Sequence, residues 1–314
     1  MEMTPQRCDA IGMFQLRANS EAPESSYDGK NSDVRTTRIK LDWNECVGVI
    51  ESGAVAMDYT DDNSAWCGGT VDDLKQSIRC GDRKIVEASE KVLTEVNAKL
   101  QLPTPGAVPE LSLIGGTPNM SAYYAGSPAC MNGLDDDAED DNGLVRIICD
   151  TSTSWSINDD LIFKRAAAVT ALVRSISMYR PTEFWVASCG KVRMSGNSRD
   201  DSACMVRVSA HPVDISAVGA AMSQNFSRRF CYGVEYSSMG CDTYDDAHGL
   251  GWPEKHVAGC IGIGGYGNKD IIVPPLHSDR EAEYAEDPAK WVKEQVELAV
   301  LGKGQAHELI GASN

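Results

Sequence analysis

One short run in the sequence gathers hard oxygen ligands: Asp150-Thr151-Ser152-Thr153-Ser154. A carboxylate followed by hydroxyls at two and four residues suits Mg²⁺ or Mn²⁺, because such cations take oxygen ligands and keep waters in the remaining positions. The run ends a continuous apolar stretch, LVRIIC (144–149), broken by one Arg, which suits a buried strand. A long amphipathic helix follows. In open α/β sheets ligands bind at the carboxyl ends of strands, and the next helix aims its positive end at the same place. The same residues also suit a purely structural task, with Asp150 and Ser152 capping the helix and tightening the turn.

Other groups with chemical capacity are less organised. Arg228 and Arg229 stand among Phe226, Phe230 and Tyr232. Rings of this kind stack on unpaired bases while guanidiniums meet phosphate. The alternative is a helix end, with Arg near the negative dipole and the aromatics in the core. The five histidines (211, 248, 256, 277 and 307) form no H-E-x-x-H or H-x-H pattern, and DTYDDAHGLGWPEKH reads as a Gly-rich surface loop. The glycines of GCIGIGGYGNKD match neither phosphate-binding spacing and read as a strand bend. No G-x-S-x-G occurs. The 11 cysteines include no C-x-x-C, and several sit in apolar runs, so they read as small buried hydrophobes in a reducing compartment. Cys67 and Cys130 are the two whose surroundings least suggest burial.

The elements that must position these residues follow from periodicity and punctuation. Residues 1–40 are polar and aperiodic and read as an extended or flexible arm. Residues 41–142 read as a helical and Gly/Pro-rich segment packed on the core. Its helices are expected from Thr70 to about Arg79, opened by a capping-box pattern and stopped by Gly81, and from Asp82 to Leu100. A short strand ends at Ile114, and six acids in seven positions, Asp135 to Asp141, read as a solvated loop because the EF-hand pattern is not met. Residues 143–314 alternate strand and helix. The clearest helix spans 158–179, with Asn158 as N-cap and Ile162, Ala166, Val169, Leu172, Val173 and Ile176 as its packing stripe. Strands follow at Glu183–Cys189 and Ala203–Val208, then a helix from about Ile215 to Phe230. Further strands are expected at Val257–Ile263 and Ile271–Val273, and a last helix begins at Asp287-Pro288. This alternation predicts an α/β fold: a mostly parallel sheet flanked by helices, with an N-terminal helical extension.

RIICDTSTS followed by a long amphipathic helix resembles the opening of a von Willebrand factor A-like (VWA-like) domain, whose D-x-S-x-S signature is a metal-ion-dependent adhesion site (MIDAS). The resemblance implies a Rossmann-type fold for residues 143–314 and a bound Mg²⁺ or Mn²⁺ that bridges to a carboxylate on a protein partner. It also implies Asp150, Ser152 and Ser154 as ligands. That family adds a Thr from a later loop, for which Thr243 in GCDTYDDAHG is the available residue. A second resemblance covers roughly residues 64–298. The series WCGGTVDDLKQSIRCG, GGTPNMSAYYAGSPACM, VRIICDTSTSW, KRAAAVTALVRSI and SQNFSRRFCYGVEY is similar to a family of uncharacterised bacteriophage proteins. This implies a viral protein at work in the host cytoplasm.

Charge narrows the function classes. The chain has 314 residues, with 46 acidic and 29 basic, for a formal net charge of −17. Bulk nucleic-acid coating rests on Lys/Arg neutralisation and attachment to anionic membranes on polybasic patches, so both are disfavoured. No apolar stretch reaches the roughly 18 residues of a membrane span. The expected function is a non-catalytic protein-interaction or scaffold module using a divalent metal. The alternatives are a single-stranded nucleic-acid accessory protein, reading through Arg228, Arg229, Phe226 and Tyr232, and a metal-dependent hydrolase.

Overall fold

The computed structural model describes residues 34–53, 64–99, 111–112, 117–118, 131–132, 144–153, 157–193, 199–239, 249–250, 270–276 and 287–301. The first elements in chain order are β1 (Val34–Asp42), α1 (Trp43–Ser52), a helical turn α2 (Ser64–Cys67), α3 (Val71–Cys80) and α4 (Arg83–Lys99). Three two-residue strands come next, β2 (Leu111–Ser112), β3 (Thr117–Pro118) and β4 (Met131–Asn132), followed by β5 (Val145–Asp150) and α5 (Asp159–Ser177). Then come β6 (Thr182–Arg193), β7 (Arg199–Ser209), α6 (Ile215–Ala221), a π-helix (Phe226–Cys231) and α7 (Tyr232–Met239). The last are β8 (Gly249–Leu250), β9 (Ile271–Val273) and α8 (Pro288–Leu301).

The sheet is mixed and mostly parallel, in the order β1-β7-β6-β5-β9, with β8 also on β6. Strands β5, β6 and β9 run together, β7 is antiparallel to β6, and β1 is parallel to β7. The fold is therefore α/β. Strand β5 lies between β6 and β9, so the chain leaves it toward one neighbour and returns much later on its other side. That is a topological switch point, where the carboxyl ends of strands open a crevice.

Alternation along the strands separates two faces. Ile147, Cys149, Phe184, Val186, Cys204, Val206 and Val208 belong to one buried cluster with residues of α1, α3, α4, α5, α6 and α8. Ile148, Trp185, Ala187, Cys189, Ala203 and Met205 form a second buried cluster on the other face. Burial on both faces accounts for the near-continuous apolar reading of VRIIC. Helix α5 is buried almost all round, because it lies on the sheet and is in turn covered by α4 and α8.

Local chemistry sets the helix ends. Thr70 Oγ1 accepts from the Asp73 N–H at 3.1 Å and Asp73 Oδ2 accepts from the Thr70 N–H at 2.8 Å, the reciprocal capping box predicted for α3. Asn158 Oδ1 accepts from the Asp160 N–H at 2.8 Å and starts α5.

Two expectations need correction. Residues 34–40, expected within the arm, belong to a strand, because Val34–Asp42 pairs along its full length with β7. The single helix expected from Ile215 to Phe230 is two pieces. It stops at Ala221, and Ser223 Oγ donates to the Ala220 carbonyl (2.7 Å) and accepts from the Phe226 N–H (3.2 Å) before the π-helix starts. The strand expected at Val257–Ile263 and the acidic run Asp135–Asp141 lie outside the described residues.

Candidate functional site

The site is built on the carboxyl end of β5. Asp150 is fully buried, and its Oδ1 accepts from the Ser152 N–H at 2.9 Å, closing a tight turn. The next residues extend the pairing with β6. The Thr151 N–H and hydroxyl both donate to the Ala187 carbonyl, at 2.7 and 3.1 Å. Ser152 Oγ accepts from the Cys189 N–H at 2.9 Å and donates to the Cys189 carbonyl at 3.3 Å. On the other side, the Ser152 carbonyl accepts from the Leu276 N–H at 3.1 Å. The turn is thus strapped to β6 and to the segment after β9.

Three buried guanidiniums hold the surroundings. Arg165, 2% exposed on α5, donates to the Asp150 carbonyl and, at 2.6 Å, to the Pro274 carbonyl, tying β5 to the end of β9. It also lies 3.3 Å from Cys149 Sγ. Burial is the main reason the Cys149 thiol is held above its ordinary pKa, and the Arg165 charge opposes that rise. Arg228 donates to the Trp66 carbonyl at 2.5 Å and to Thr153 Oγ1 at 3.2 Å, and its guanidinium lies 4.5 Å from the Trp66 ring centroid. Arg229 donates to the Gly69 carbonyl at 2.9 Å. The neighbouring side chains continue the pattern. Gln224 donates to the Trp66 carbonyl (2.6 Å) and to Asp159 Oδ1 (2.8 Å), Asn225 donates to the Thr70 carbonyl (2.8 Å), and Ser227 donates to the Thr151 carbonyl (3.1 Å).

The WCGG loop reaches this cluster because it ends in two glycines. Gly68 has φ of 78°, and a Cβ on Gly69 would stand 2.9 Å from Asn225 Nδ2. Side chains at either position would push the Trp66 and Gly69 carbonyls away from the arginines.

The predicted site residues divide accordingly. Asp150 and Ser152 come together at the switch point, while Ser154 and Thr243 lie outside the described residues. In the described pair the polar groups are engaged locally. The Ser152 hydroxyl donates to and accepts from Cys189, one Asp150 oxygen holds the turn, and both residues are at most 1% exposed. The adjoining cavity, lined by Thr151, Thr153, Arg165, Ser227 and Arg228, has a volume of about 10 Å³. That is about the space of one water, and its guanidiniums repel a cation. Among the described residues no group of three His, Cys, Asp or Glu is placed to hold a metal ion.

Phe226, Arg228, Arg229 and Tyr232 do come together, but in the interior, at 0%, 1%, 1% and 3% exposure. Phe226 stacks near Phe230 and Trp43, with ring centroids 5.0 and 5.5 Å apart. These four therefore form no surface for nucleic acid. Cys67 is buried as well, at 0% exposure, and Cys80 is the exposed thiol among the described residues. Sequence reasoning missed Arg165. The signal was present, because Ile162, Arg165, Val169, Leu172 and Ile176 recur at helical spacing and put Arg165 on the inward stripe.

An open cleft lies beside this clamp, about 160 Å³ in volume, between the starts of α3, α4 and α5 and the α6–π-helix turn. Asp73, Asp82, Asp159, Phe163, Ser223 and Asn225 are among its lining residues.

No curated protein and no solved structure matches the chain. A family model described as "Domain of unknown function (DUF7192)" matches residues 32–301, and the chain belongs to that family.

Proposed function

We propose that the chain is a protein-interaction or scaffold module with a VWA-like core, which presents the carboxyl end of its sheet to a partner. One observation carries this reading: Arg165, Arg228 and Arg229 pin four carbonyls from three separate segments, Trp66 and Gly69 in one loop, Asp150, and Pro274, onto the switch point. Buried guanidiniums held by several acceptors fix loops that would otherwise move, and a surface fixed before encounter loses less entropy on binding. The run Asp150-Thr151-Ser152-Thr153 at the end of β5 supports the VWA-like reading by its place in the fold. With the sequence resemblances, the module is phage-encoded and meets its partner in the host cytoplasm. In keeping with a partner other than a membrane, none of the described helices is long and apolar enough to cross one.

The test uses the two ends of one helix. Phe163 and Met178 are both exposed, at 38% and 46%, near the start of α5 and just past its end. A photo-crosslinking phenylalanine analogue is placed at either position, and the full chain is irradiated in a lysate of the cell that makes it. The expected result is a discrete crosslinked product from position 163 and none from 178. Equal labelling at both positions, or labelling at 178 alone, overturns the reading.

A further inference from the structure

We draw no further inference here: the strongest candidate, the polar cavity of about 10 Å³ between Arg165 and Arg228 at the carboxyl end of β5, belongs to the site already described, where the Trp66, Asp150 and Pro274 carbonyls engage both guanidiniums.

Discussion

Both ends of the central sheet hold arginine, in opposite ways. At the amino end Arg146 reaches across adjacent parallel strands to carboxylates, 3.5 Å from Glu183 on β6 and 3.3 Å from Asp270 just before β9. Arg207 on β7 joins Glu183 at 3.8 Å. At the carboxyl end Arg165, Arg228 and Arg229 are almost fully buried and spend their donors largely on backbone carbonyls. The contrast follows from what each end must hold. Strands in register already place side chains opposite one another, so charge pairs suffice to lace them. Loops leaving a switch point share no register. What they offer in common is carbonyl oxygens, and a planar guanidinium with five donors can bridge several of these at once. The amino end is laced by charge, and the carboxyl end is fixed by geometry.

The comparison breaks most sharply at Arg165. Arg165→Ala removes donors from the Asp150 and Pro274 carbonyls and leaves a buried void between β5 and β9. The expected loss is about 3–5 kcal/mol in denaturant unfolding. Arg165→Lys should recover little of it, because an ammonium lacks the planar fork. Arg146→Ala is the counterpart. Its side chain is 18% exposed and its partners are 13% and 4% exposed, so the loss should fall between the exposed-pair and buried-pair ranges, at about 1–2 kcal/mol. Salt should shrink the Arg146 effect and leave the Arg165 effect nearly unchanged. Equal losses at the two positions would dissolve the distinction.

The sequence carried the repetitive parts of this architecture and little of the clamp. The helices α3, α4, α5 and α8 were legible because caps and apolar periods are local: Thr70 with Asp73, Asn158 before α5, Pro288 after Asp287. Strand β1 was not legible, since VRTTRIKLD becomes a strand only through its pairing with β7, about 165 residues away in the chain. Asp150 and Ser152 were found as residues, but their local bonds were not foreseen. The partners that occupy them, Cys189 and the turn's own N–H, are invisible until β6 is in place. The aromatics beside Arg228 and Arg229 lie in the core, as one of the two readings had it, but where the arginines donate was not legible. Their acceptors lie in the WCGG loop, some 160 positions upstream, and an Arg pair beside aromatics looks like a surface when read alone. The cleft had no linear signature, because Asp73, Asp82 and Asp159 act there as neighbours only after three helix starts converge.

The smallest expected effect tests whether titration distinguishes the carboxyl end from its own rim. The arginine-to-carbonyl bonds involve no group that titrates in the acid range, so acid should leave them alone. Asp73, on the cleft, does titrate. Hydrogen bonds from the Thr70 N–H and hydroxyl hold its carboxyl below the ordinary 3.8. A carboxyl lowered in the folded state contributes stability that is present above its unfolded value and lost as pH falls through its folded value. Asp73→Asn keeps an acceptor for Thr70 but removes the charge from the positive end of α3. The variant should be slightly less stable than the native chain at pH 7, and the two unfolding curves should converge as the pH drops below about 4. A gap that persists to pH 2 would mean that Asp73 acts through shape alone. The acidic rim would then belong with the geometric clamp behind it.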